Sequence, residues 1–105
     1  MTDALEFIKR CIAERRVYWT YHVQMRMGER SISRKMILES VESYEIIESY
    51  PTDKYLPSYL VYGRIGDIIF HVLFAVDEKE ENVRIITAYF PDRAKWTDDM
   101  KRRRK

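Results

Sequence analysis

The stretch Gly66-Asp67-Ile68-Ile69-Phe70-His71-Val72-Leu73-Phe74-Ala75-Val76 decides the fold. Its alternation places Ile68, Phe70, Val72, Phe74 and Val76 on one face of a strand. Ile69, His71, Leu73 and Ala75 then share the other face. Gly66-Asp67 reads as a tight hairpin connection back to a strand at 59–65. A charged loop from Asp77 to Asn82 leads into a further strand, Val83–Phe90, which Pro91-Asp92 ends. On unbroken alternation, Tyr89 shares a face with Val83, Ile85 and Thr87.

Upstream, the pattern changes period. Asp3 with Glu6 three residues later resembles a capping box, and Leu5, Ile8 and Ile12 follow at helical spacing, which predicts a helix over 3–15. Arg15-Arg16 at its end suits the helix dipole. Val17 to Thr20 reads as extended, and a second helix is expected over 21–30, ending near Gly28. Ser31 and Ser33 offer caps for a third helix at 33–43, with Ile37 and Val41 facing inward. Tyr44 to Tyr50 is β-prone and is stopped by Pro51, and 51–58 is a loop. Helices first and an antiparallel meander after them indicate an α+β domain. The expected architecture is N-terminal helices packed on one face of a four-stranded, mainly antiparallel sheet. Ala94-Lys95-Trp96 begins a last short turn or helix.

Composition narrows the class. The chain has 105 residues, 46% of them apolar, with eight Tyr, four Phe and two Trp, enough for one core. Gly and Pro number three each, so no flexible linker or low-complexity tract is present. The single Cys11 excludes an internal disulfide and argues against a thiolate zinc site, which suits a reducing compartment. Glu6, Lys9 and Arg10 interrupt the first apolar stretch, so no signal peptide is expected. The run from Ile68 to Val76 is too short to span a bilayer. A cytoplasmic protein with no membrane partner, no metal and no cofactor is the expectation.

The net charge of +2 is unevenly placed. Lys101-Arg102-Arg103-Arg104-Lys105 holds five of the 19 basic residues, and the remaining 14 face 17 acidic ones, leaving −3 on residues 1–100. The body is therefore no general polyanion binder, and an anion site must be local. Residues 1–97 are expected to form the domain, with 98–105 as a disordered basic tail.

The chemistry concentrates in Thr20-Tyr21-His22-Val23-Gln24-Met25-Arg26-Met27-Gly28-Glu29-Arg30. Helical geometry lines up His22, Arg26 and Arg30 at four-residue intervals. An imidazole beside two permanent cations suits a phosphodiester. A solvated face paired to Glu29 fits the same spacing. His71 is either a core histidine bonded to backbone or the border of a groove, and Tyr89 either packs or meets substrate. No Gly-rich phosphate loop, nucleophile elbow or metal-ligand spacing competes. Metal-free RNA cleavage is feasible with these groups: the 2′-OH attacks phosphorus, assisted by a base, an acid and cations.

A longer ordered set of residues carries a resemblance. It opens with Thr20, His22, Arg26-Met27, Arg30 and Ile32-Ser33, and continues with Ile46-Ile47-Glu48 and Tyr50-Pro51. Tyr62-Gly63-Arg64, His71-Val72 and Ala75-Val76 follow, then Ile86-Thr87-Ala88-Tyr89, Pro91-Asp92 and Trp96. Over residues 17–97 this resembles a small bacterial family of domains of unknown function, similar to RelE-like and BrnT-like toxins of toxin–antitoxin pairs. The resemblance implies a RelE/barnase-like α+β fold, endoribonuclease activity on RNA and a cognate antitoxin as partner. Its matching polar positions are His22, Arg26, Arg30, His71 and Tyr89 as catalytic residues, with Arg64 as a substrate contact. The −3 body departs from the basic surface of ribosome-dependent RelE-like nucleases, so free RNA is the expected substrate. A non-catalytic module that binds protein or forms a homo-oligomer is the alternative, since the tyrosines would suit an interface.

Overall fold

Each helix begins on a side-chain cap that the sequence supplies. The computed structural model describes residues 3–105. The Asp3 carboxylate accepts from the Leu5 N–H at 3.0 Å, and helix α1 spans Ala4–Ala13. Thr20 caps α2, Tyr21–Glu29, accepting from the Val23 N–H at 3.1 Å, and Ser33 caps α3, Arg34–Glu39. The first two helices stop alike. Arg15 and Ser31 take positive φ, 62° and 61°, and the next N–H closes back on the helix: Arg16 to the Cys11 carbonyl at 2.7 Å and Ile32 to that of Met27 at 2.9 Å. The third helix is shorter than the expected 33–43. The Ser40 hydroxyl bonds back to the Ile37 carbonyl, and a 3₁₀ turn replaces the last part at Val41–Ser43.

Five strands follow this framework: β1 Val17–Tyr18, β2 Glu45–Tyr50, β3 Ser58–Ile65, β4 Ile68–Asp77 and β5 Asn82–Tyr89. They form one sheet in the order β1-β5-β4-β3-β2. The sheet therefore has five strands rather than the four expected. The added one, β1, is a two-residue strand parallel to β5, held by the Val83 N–H on the Arg16 carbonyl at 3.0 Å. Two residues carry no periodicity, so the sequence marks them only as extended. β3 and β4 form the hairpin expected at Gly66-Asp67, where Gly66 takes φ 57°.

The helices cover one sheet face. Phe70, Val72, Phe74 and Val76 of β4 pack there with Val61, Val83 and Ile85 against Phe7, Ile8, Ile12, Val23, Met27 and Ile37. Full burial of each such side chain contributes about 1.5–3 kcal/mol.

A bulge re-phases β5. Leu73 pairs with Thr87 but Phe74 with Ile85, so Ile86 is an extra residue. Val83 and Ile85 therefore face the helices together with Ala88, while Tyr89 packs on the opposite face beside Leu73. The shared face expected for Val83, Ile85 and Tyr89 does not form.

That opposite face is closed by the basic C-terminal residues, where the charge run predicts a disordered tail. Residues 95–104 fold back as a small hairpin. Trp96 and Arg103 bridge, the Thr97 N–H donates to the Arg102 carbonyl at 2.8 Å, and the Arg104 N–H donates to that of Lys95 at 2.8 Å. Trp96 and Met100 are buried on Leu60 and Tyr62. The tail's charges find partners on the edge strand: Lys101 meets Glu45 at 2.7 Å and Arg103 meets Glu48 at 2.6 Å. Charge alone suggested solvation, yet the apolar Trp96 and Met100 set into that segment supply the anchoring.

If this hairpin covers the sheet, Met100→Ala lowers unfolding free energy by about 2 kcal/mol, read from urea titration. An unchanged midpoint would show that residue 100 lies in solvent.

Candidate functional site

Helix α2 lies along the part of β5 that β1 does not reach. β1 pairs only with Val83 and Arg84, so the backbone groups from Ile86 to Ala88 meet no strand on that side. Arg30 fills the gap. Its Nη1 donates to the Ala88 carbonyl at 2.8 Å and to the Thr87 hydroxyl at 3.4 Å. A guanidinium on an open strand edge satisfies the carbonyl and deters a further strand. Its Nε and Nη2 keep their own protons for another acceptor.

His22, Arg26 and Arg30 line one groove of about 290 Å³, with Ile86, Thr87 and Ala88 as its other wall. The i, i+4 spacing read from the sequence thus converges on a real concavity. Glu29, the carboxylate expected to pair with this stripe in a purely structural arrangement, forms no ion pair among the described residues, and neither do His22 and Arg26. His22 sits in the first turn of α2, where unpaired N–H groups and the helix dipole add positive potential. The groove therefore collects one imidazole, two guanidinium groups and a hydroxyl without an internal anion.

His71 and Tyr89 belong to the opposite sheet face. His71 is 0% exposed, and both ring nitrogens are engaged: Nε2 with the Met100 carbonyl at 2.7 Å and Nδ1 with the Tyr89 hydroxyl at 3.2 Å. A carbonyl only accepts, so Nε2 carries the proton and Nδ1 accepts from the tyrosine. Burial holds the imidazole below its ordinary pKa and so keeps it neutral; the Met100 carbonyl opposes this with less effect. Burial also pushes the Tyr89 phenol up. The Trp96 ring stands edge-on to His71, with centroids 4.5 Å apart. His71 thus latches the C-terminal hairpin and orients Tyr89. His71 itself lines neither the α2 groove nor the larger cavity of the second face.

A larger cavity of about 570 Å³ opens on this second face, walled in part by Tyr50, Asp53, Leu60, Leu73, Tyr89 and Arg103. Thr87 borders both this cavity and the α2 groove. Glu48 anchors the rim. It accepts from Arg103 Nε at 2.6 Å and Nη2 at 3.2 Å, and from the Tyr50 hydroxyl. The Arg103 bonds hold its carboxyl below the usual range. Arg64 is exposed near the β3–β4 turn and lines neither space.

The sequence reading missed Thr87, Asp53 and Arg103. Thr87 owes its place to the bulge, which leaves no mark on the residue pattern. Asp53 stood in a segment read only as a loop, and Arg103 in one read only as a charge run.

Residues 19–90 match the model of a family described as Domain of unknown function (DUF4258). The chain belongs to the DUF4258 family. The match takes in α2 and the whole meander, and with them His22, Arg26, Arg30, His71 and Tyr89. No curated protein matches the chain, and no solved structure matches it. Among the described residues, no helix is long and apolar enough to cross a membrane.

The buried neutral His71 has a consequence for stability. In the unfolded chain a histidine titrates near about 6.5, above the folded value, so acidification protonates the unfolded state first. Stability from this group is fully present above about pH 6.5 and is lost as pH falls through the folded value. Melting temperature should therefore decline from pH 7 to pH 5, and His71→Gln should flatten that decline. Parallel profiles for the two proteins would contradict the burial.

Proposed function

We propose that this protein is an endoribonuclease that cleaves RNA without a metal ion, acting as the toxin of a toxin–antitoxin pair. The observation that carries the reading is the convergence of His22, Arg26 and Arg30 on one solvent-facing groove that holds no protein carboxylate. A phosphodiester supplies the missing negative charge. Arg26 and the free side of the Arg30 guanidinium donate to the non-bridging oxygens, where charge grows as phosphorus becomes five-coordinate.

His22 is the imidazole that lines the groove, so the proton transfers fall to it. His22 takes the proton of the ribose 2′-OH as its oxygen bonds to phosphorus. The bond from phosphorus to the 5′ oxygen breaks, and that oxygen leaves with a proton from water. The imidazolium returns its own proton to solvent, leaving a 2′,3′-cyclic phosphate and a 5′-hydroxyl. Tyr89 serves as a substrate contact on the other side of Thr87, its phenol fixed by His71. The resemblance in motif order to RelE-like and BrnT-like toxins supports the assignment to a toxin.

The purified protein incubated with single-stranded RNA in EDTA should yield fragments ending in 2′,3′-cyclic phosphate. His22→Ala should lower the rate by about 10²–10⁴-fold at unchanged melting temperature. Arg26→Ala should also slow cleavage with the fold intact. Intact RNA with the wild-type protein, or equal cleavage by His22→Ala, would overturn the proposal. Intact RNA together with a stable oligomer or protein complex would favour a binding module, for which the exposed Tyr21 and Tyr55 are suited.

A further inference from the structure

The large cavity on the second sheet face has an arrangement of acceptors that the cleavage chemistry does not use. Leu60, Leu73, Tyr50 and Tyr89 are among the residues that line it. Flat apolar walls of this kind suit a nucleobase, whose faces are hydrophobic and whose edge is polar. The volume of about 570 Å³ is ample for a purine with its ribose.

The polar rim discriminates among the bases. Asp53 Oδ1 accepts from the Lys54 N–H at 2.9 Å, and Oδ2 accepts from the Ser58 hydroxyl at 2.7 Å. These two bonds fix the plane of the carboxylate and hold it ionised, below its ordinary pKa. Each oxygen keeps one more lone-pair direction free. A fixed carboxylate with one acceptor site open on each oxygen matches two adjacent N–H donors. Guanine presents that pair, N1–H beside the exocyclic N2 amino group. Adenine, cytosine and uracil do not. Arg103, stacked on the Trp96 ring at 4.7 Å and held by Glu48, adds a donor on the same rim for the O6 and N7 acceptors of guanine.

We infer that this cavity is a guanine pocket, holding the base of the nucleotide whose phosphate lies in the α2 groove. The inference rests on the phosphodiester reading of that groove. The two spaces share Thr87, so a nucleotide crossing the β5 edge there places its base on one side and its phosphate on the other. Binding requires no covalent step. Asp53 would be the specificity residue, with Tyr89 as the stacking surface.

The test is calorimetric titration of the full chain with guanosine 3′-monophosphate, adenosine 3′-monophosphate, guanosine and inorganic phosphate. The guanosine nucleotide should bind at least about ten-fold tighter than the adenosine one, the scale of one good two-point base contact. Asp53→Asn should erase that preference. Arg26→Ala should weaken both nucleotides and phosphate alike. Equal affinity for the two nucleotides, or a preference that survives Asp53→Asn, overturns the guanine pocket. Arg26-dependent phosphate binding in that case leaves the groove reading standing. Guanosine binding that depends on Asp53, with no phosphate binding, supports the pocket and removes the groove instead.

Discussion

A strand only two residues long sets the terms for this molecule. Because β1 pairs with Val83 and Arg84 and then ends, β5 carries an open edge just where its bulge falls. An unpaired carbonyl at such an edge needs a donor, and the Arg30 guanidinium provides it at 2.8 Å from across α2. That bond ties the end of α2 to β5 and turns the helix's polar stripe toward the edge. Arg26 and His22 follow because they sit four and eight residues before Arg30 on the same stripe. The groove is thus a product of the way the sheet is finished.

Much of the fold was legible because it rests on local signals. Asp3 and Ser33 mark helix starts that the structure keeps, and the alternation from Ile68 to Val76 separates the two faces of β4 as expected. What could not be read depends on pairing between distant segments. The register shift at Ile86 is set by how β5 meets β4, and neither strand announces it. Because of that shift, Tyr89 parts from Val83 and Ile85. Likewise, β1 becomes a strand only because the positive φ at Arg15 turns the chain alongside β5.

The site divided along the same line. The stripe of His22, Arg26 and Arg30 was visible through helical spacing alone. His71 and Tyr89 do meet, at 3.2 Å, but as a buried latch and its partner. A histidine inside an apolar strand satisfies its ring nitrogens within the protein, and here the C-terminal hairpin supplies one of the two partners. The basic run at the end misled in a similar way: Glu45 and Glu48 on β2 neutralise it, and Trp96 and Met100 bury its turn. Charge density in a sequence does not reveal where the opposite charge waits.

The claim that a single phosphodiester is gripped by one imidazole and two guanidinium groups is tested most directly by side-chain NMR. A 2′-deoxy dinucleotide, which cannot be cleaved through a 2′-OH, would be titrated against isotope-labelled protein. The His22 ring and the Arg26 and Arg30 guanidinium signals should shift together along one binding curve, with Arg64 unmoved. Signals that stay fixed, or that titrate with separate affinities, would contradict the account.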